Sequence, residues 1–149
     1  MVKDSLKLRG DLKIVIKDKN GDVKVERNEK NLIVDTGLAF ICSRMTDAAD
    51  DVMSHMAVGS DSTTPAANDT DLGSILGSRE ALDSTAHSAN TVTYVSSFEA
   101  GEGTGAVAEA GIFNAVTSGT MLCRTTFPVV NKGADDTMVI TWTITLSAS

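Results

Sequence analysis

The sequence predicts a mainly β protein: an antiparallel β-sandwich or jelly-roll-like barrel with one short helix at about residues 36–46. Three observations predict it. Apolar and polar side chains alternate with a period of two in several short runs. Gly- and Ser-rich turns separate those runs. A 3.6-residue period appears in one short stretch only.

The first element is a hairpin over 11–34, "DLKIVIKDKNGDVKVERNEKNLIV". Leu12, Ile14 and Ile16 alternate with Lys13, Val15 and Lys17, and Val23 and Val25 alternate with Lys24 and Glu26. Asn20-Gly21 between them predicts a type I′ turn, which needs positive φ twice. "DKNGD" resembles the start of a calcium loop, but the bidentate Glu at its far end is missing and strand alternation resumes at Val23. "DTGLAFICSRMTD" (35–47) predicts the helix. Asp35 or Thr36 would cap it, with Leu38, Ile41, Cys42 and Met45 on one face.

"VMSHMAVGS" (52–60) reads as a strand ending at Gly59. Residues 60–78, rich in Ser, Thr, Asp, Asn and Pro, read as a long surface loop too polar to pack deeply. A strand closes 79–100, with Val92, Tyr94, Ser96 and Phe98 on one face. Residues 101–130 hold two glycine-marked turns around short strands. In "TMVITWTITLSAS", Met138, Ile140, Trp142, Ile144 and Leu146 alternate with Val139, Thr141, Thr143 and Thr145. That pattern predicts a central, half-buried strand with a Thr ladder facing out. Six to eight strands are expected.

A length of 149 residues predicts a single domain, 1–149, with residues 1–30 as an N-terminal arm or hairpin contacting a neighbouring subunit. Removal of that arm is expected to leave 31–149 soluble. No apolar run approaches a membrane span, and the charged N-terminus lacks the apolar core of a secretory signal. Cys42 and Cys123 are expected as free thiols in apolar surroundings. Charge is split unevenly: ten Lys/Arg face seven acids in 1–45, and three face thirteen in 46–149. The acidic majority argues against a nucleic-acid partner, and the basic start fits an acidic neighbour, including another copy of the chain.

Catalytic signatures are sparse. His55 falls in a strand and His87 in an exposed loop, with no G-x-S-x-G elbow. Metal-ligand spacings of His and Cys are absent, and "DAADD" (47–51) and "NDTD" (68–71) read as solvated carboxylates. "GEGTG" (101–105) lacks the Lys and the following helix of a phosphate loop, and reads as a flexible turn. In "EAGIFNA" (109–115), Gly111 permits a bend or a close backbone approach, Ile112 or Phe113 reaches the core, and Asn114 bonds the turn backbone. Glu109 is left for the surface or a neighbouring subunit. No cofactor is expected, and the reading is non-enzymatic.

Four stretches, "NLIVDTGLAFICSRM" (31–45), "MSHMAVGSDSTTPAANDTDLGSIL" (53–76), "VTYVSSFEAGEGTGAVAEAGIFNA" (92–115) and "GTMLCRTTFPVVNKGADDTMVITWTITL" (119–146), occur in an order that resembles small structural proteins of tailed bacteriophage virions. "GLAFI" followed by "MAVGSDST" is similar to attachment domains of tail-fibre and collar proteins. The resemblance implies a capsid decoration or cement protein of the virion, assembled in the host cytoplasm as a homodimer or homotrimer. Its partners would be the major capsid protein or tail and neck proteins, with no nucleic acid and no membrane. The implied alternative is a tail-fibre, collar or baseplate attachment protein. A chain ending at Ser149, just after its closing strand, is expected to suit the cement role better. A carbohydrate-binding module or hydrolase is the remaining, weaker reading. The expected interaction residues are Lys13, Lys17, Asn20, Gly21, Lys24 and Arg27 of the hairpin, with Glu109 and Asn114.

Overall fold

The computed structural model describes residues 5–47 and 50–148. Among them the elements run β1 (Leu6–Lys17), β2 (Val23–Ile33), α1 (Asp35–Ser43), β3 (His55–Gly59), β4 (Glu80–Ala81), β5 (Ser84–Ser88), β6 (Thr91–Phe98), β7 (Gly105–Phe113), β8 (Met121–Lys132) and β9 (Thr137–Ala148). Every pairing is antiparallel, in the order β4-β3-β7-β8-β2-β1-β9-β6-β5, and the sheet curls into a half-barrel. The chain is mainly β with one short helix. The nine strands among the described residues exceed the expected number because Ser84–Ser88, read as loop around His87, forms an exposed edge strand on β6.

The curl comes from β2. Up to Asn31 it pairs with β1, and at Leu32 and Ile33 it pairs instead with β8. One half of the sheet is therefore β2-β1-β9-β6-β5 and the other is β8-β7-β3-β4. A core cluster fills the space between them, with Leu12, Ile14, Phe98, Ile140 and Trp142 from the first half and Met56, Val58, Ile112 and Cys123 from the second. The alternation read in β1, β6 and β9 falls on this inner face. Leu12, Ile14 and Ile16 are at most 1% exposed. The hairpin is thus part of the core and not a dispensable arm; deleting residues 1–30 would remove a central strand lying between β2 and β9.

Local chemistry changes three expectations. The hairpin turn is closed by the Gly21 N–H donating to the Asp18 carbonyl, and the Asp18 carboxylate accepts the N–H groups of Asn20 and Asp22. Gly21 has φ +84° while Asn20 stays at negative φ, so the turn is not type I′. Both bonds fall on Oδ1, one oxygen of the carboxylate that would open a calcium loop. The helix ends at Ser43, earlier than the expected 46, and no side chain caps it. The Thr36 hydroxyl donates instead to the Met121 carbonyl of β8. Its buried face is Gly37 and Phe40, with Met45 82% exposed. The face is set by contact: a Cβ on Gly37 would collide with the Leu122 carbonyl, so only glycine lets the helix lie this close to β8. Cys42 consequently points to solvent, against the expected apolar setting, while Cys123 is buried. No helix among the described residues is long and apolar enough to cross a membrane.

Candidate functional site

On the outer face of the second half-sheet, β7 is buried on both sides from Val107 to Phe113. Its inner side meets the core. Its outer side meets the 60–79 segment, which lies across β3, β7 and β8. Register places Gly59 opposite Glu109, Ala57 opposite Gly111, and Gly111 opposite Arg124. Three small residues in this patch leave space for a second layer. A Cβ on Gly59 would lie 2.5 Å from Glu109 Oε2 and would strike the Ser74 carbonyl. Gly111 supplies the close approach expected of it, with Leu72 packed over it.

Glu109 is fully buried, which corrects its expected place at the surface. Oε1 accepts from Gly73 N–H at 2.8 Å and from Arg124 Nε at 3.1 Å. Oε2 accepts from Ser74 N–H at 2.8 Å and Asp61 N–H at 3.0 Å. Arg124 Nη1 donates to the Thr63 carbonyl and to Asp69 Oδ2, each at 3.1 Å, and Nη2 lies 3.6 Å from Asp61 Oδ2. Bonds from the Thr63 N–H and hydroxyl, with the nearby guanidinium, hold the Asp61 carboxyl below its ordinary value against the opposing effect of burial. One carboxylate and one guanidinium on neighbouring strands thereby tie down residues 61, 63, 69, 73 and 74. The 60–78 loop, read as polar surface, is a fixed layer whose Leu72 and Leu76 pack on the two core clusters.

A second cation extends the tether. Arg79 sits 3.6 Å over the Phe113 ring and donates to the carbonyls of Ala115 and Ser118. Asn114 bonds the turn backbone as expected: its amide donates to the Asp51 carbonyl and its oxygen accepts from Thr120 N–H. A shallow depression of about 670 Å³ lies between residues 71–79 and Val116–Ser118.

The hairpin residues fall on the other half-sheet. Lys13 is exposed on the outer face and pairs with Glu26 at 3.3 Å. Lys17, Asn20 and Gly21 are exposed near the turn. Lys24 sits at a register shift and bonds Asp136 at 2.6 Å. That contact, with the Gly133 N–H, holds the Asp136 carboxyl below its ordinary value. Arg27 stands opposite Ile14 and so points to the inner face, half-buried, away from Lys13. The expected interaction residues therefore do not form one patch. Near Asp136, the buried Lys132 donates to the Glu99 carbonyl, and burial lowers its pKa against the pull of Asp136, Glu102 and Glu99.

Glu109 cannot act as a base where it stands, because four donors occupy its lone pairs and no solvent reaches it. His55 Nδ1 is hydrogen-bonded to its neighbour Ser54, and His87 Nε2 to the Ala89 carbonyl. Among the described residues no group of three His, Cys, Asp or Glu side chains is placed to hold a metal ion. The acidic run 47–51 lies partly outside the described residues. Sequence reasoning missed Arg124, Arg79 and the network joining them. The available signal was a lone arginine inside the apolar "MLCRTTF" run, which in a buried strand demands a partner.

No protein family, curated protein or solved structure matches the chain.

Proposed function

We propose that this chain is a non-enzymatic structural protein of a tailed-phage virion, a capsid decoration or cement protein that binds the outer shell as a homo-oligomer. One observation carries the reading. Three of the four stretches that resemble virion proteins meet at the tether. "AVGS" contributes Gly59, which leaves the space, the polar run contributes Asp61, Thr63, Asp69, Gly73 and Ser74, "EAGIFN" contributes Glu109, and "MLCRTTF" contributes Arg124. Their order along the chain thus corresponds to one built feature, a loop locked onto a sheet. A locked loop pays little ordering entropy on binding, which suits a protein that must occupy many equivalent sites.

We read the finer architecture as a sandwich, the two half-sheets facing each other across the shared core and joined through β2. The acidic balance of residues 46–149 keeps the free protein soluble and away from packaged DNA. A second reading, a tail-fibre, collar or baseplate attachment protein, rests on the similarity carried by "GLAFI" and "MAVGSDST", and is supported by a bond just before "GLAFI", where the Asp35 N–H donates to the Ala67 carbonyl of the polar loop.

The test is copy number per particle, by quantitative mass spectrometry of purified virions. A count comparable to the major capsid protein is expected. A small multiple of three or six would replace the cement reading with the tail reading, and absence from virions would overturn both.

A further inference from the structure

We propose that β5 is the subunit contact, and that a second copy of this chain adds its own β5 antiparallel to it about a two-fold axis. The inference rests on the homo-oligomeric reading above and specifies its interface. The open strand edges among the described residues differ in how they are protected. Over Val23–Asn31 no strand lies beside the outer edge of β2, but that stretch carries Lys24, Glu26, Arg27, Glu29 and Lys30, with Arg27 and Glu29 turned inward. The edge of β8 beyond Thr125 carries Pro128. Edge β4 has two residues. Charges, inward-pointing charges, proline and shortness are the usual devices against edge pairing.

Edge β5 is the exception. Its five residues, Ser84–Ser88, are all exposed, and its register with β6 runs unbroken from Ser84–Val95 to Ser88–Thr91. It holds no Lys, Arg, Asp, Glu or Pro. The charge pattern suits its own copy: full overlap of two such strands centres on Ala86. Ala86 then faces Ala86 of the second copy, Ser84 faces Ser88, and Thr85 faces His87. No acidic or basic side chain meets its like, and every side chain but His87 is small. One sheet would then run continuously through both copies, an isologous contact.

The experiment uses the full chain. Light scattering after size exclusion should give a dimer mass for the wild type and a shift toward monomer for Ala86→Lys, which sets two ammonium groups face to face. In a Cys42→Ser background, Ala86→Cys should form a disulfide dimer on mild oxidation, since opposed Cα atoms are about 4.5–5.5 Å apart and a disulfide spans roughly that range. Ser84→Cys should not, because its own counterpart lies four residues along, about 14 Å away. A monomeric wild type, an unchanged mass for Ala86→Lys, or equal cross-linking of the two cysteine variants would each overturn the proposal. Virion binding by a protein that fails these tests would leave the virion role standing and remove only β5. A β5 dimer absent from virions would do the reverse.

Discussion

The half-barrel has two outer faces, and one is covered while the other is bare. Over β3, β7 and β8 the outer positions are Ala57, Gly59, Glu109, Gly111 and Arg124, and the 60–79 segment lies on them. Over β1, β9 and β6 the outer positions include Lys13, Thr141, Thr143 and Thr93, and no other segment among the described residues covers them; a shallow depression of about 630 Å³ there is open to solvent. The difference lies in side-chain size and in one buried ion pair. Small residues make room, and Glu109 and Arg124 supply the polar partners that a loop backbone needs when it leaves water. Threonines and lysines supply neither.

Removing the tether should break this contrast most sharply. Glu109→Ala leaves the Arg124 guanidinium buried without its carboxylate, and three backbone N–H groups without their acceptor. Denaturant unfolding should show a loss of about 3–5 kcal/mol, with faster amide exchange confined first to residues 61–74. Gly59→Ala is the next largest effect. Its Cβ would meet Glu109 Oε2 and the Ser74 carbonyl, and overpacking of this kind costs about 1–3 kcal/mol. The same assay should place it between Glu109→Ala and wild type.

Alkaline pH acts on the core that both faces share. Burial, with a smaller effect from Cys123, pushes the Tyr94 hydroxyl up to about 12 from 10.0. The unfolded chain therefore loses this proton first, and stability falls as pH rises from 10 to 12, by on the order of 2 kcal/mol. Tyr94→Phe should flatten that slope. Lys132 has the opposite sign, its lowered pKa adding stability as pH rises toward 10.5. Acid acts on the covered face: Asp61 is held below 3.8, so its contribution is present above that value and is lost as pH falls through its folded pKa. Protection of the loop amides, taken relative to their intrinsic exchange rates at each pH, should fall there, and Asp61→Asn should remove that pH dependence. The smallest effect belongs to the bare face. Thr143→Lys should change stability by no more than about 0.5 kcal/mol, whereas a charge placed at Ala57 should not be tolerated.

The inner face was legible in the sequence wherever one side of a strand met the core and the other met water. Leu12, Ile14 and Ile16, and Met138 through Ile144, follow the period of two. Legibility failed where a strand is buried twice. In "VAEAGIF" both sides are covered, so alternation disappears and Glu109 looks like a surface acid. The polar loop misled for a related reason. Its Ser, Thr and Asp residues signal solvent only when no buried partner awaits their backbone, and Arg124, 15 residues beyond Glu109 and 61 beyond Thr63, could not be matched to them by spacing. The helix face went wrong because Gly37, which counts as nothing in a hydrophobic period, decides which side touches β8.

The central claim is that Glu109 and Arg124 hold the 60–79 segment as a fixed layer. Native-state hydrogen exchange of the amides of Asp61, Gly73 and Ser74 tests it directly. The account predicts protection approaching that of the core strands β7 and β9, lost in Glu109→Ala. Exchange of these three amides at the rate of an unstructured peptide in the wild type would contradict it.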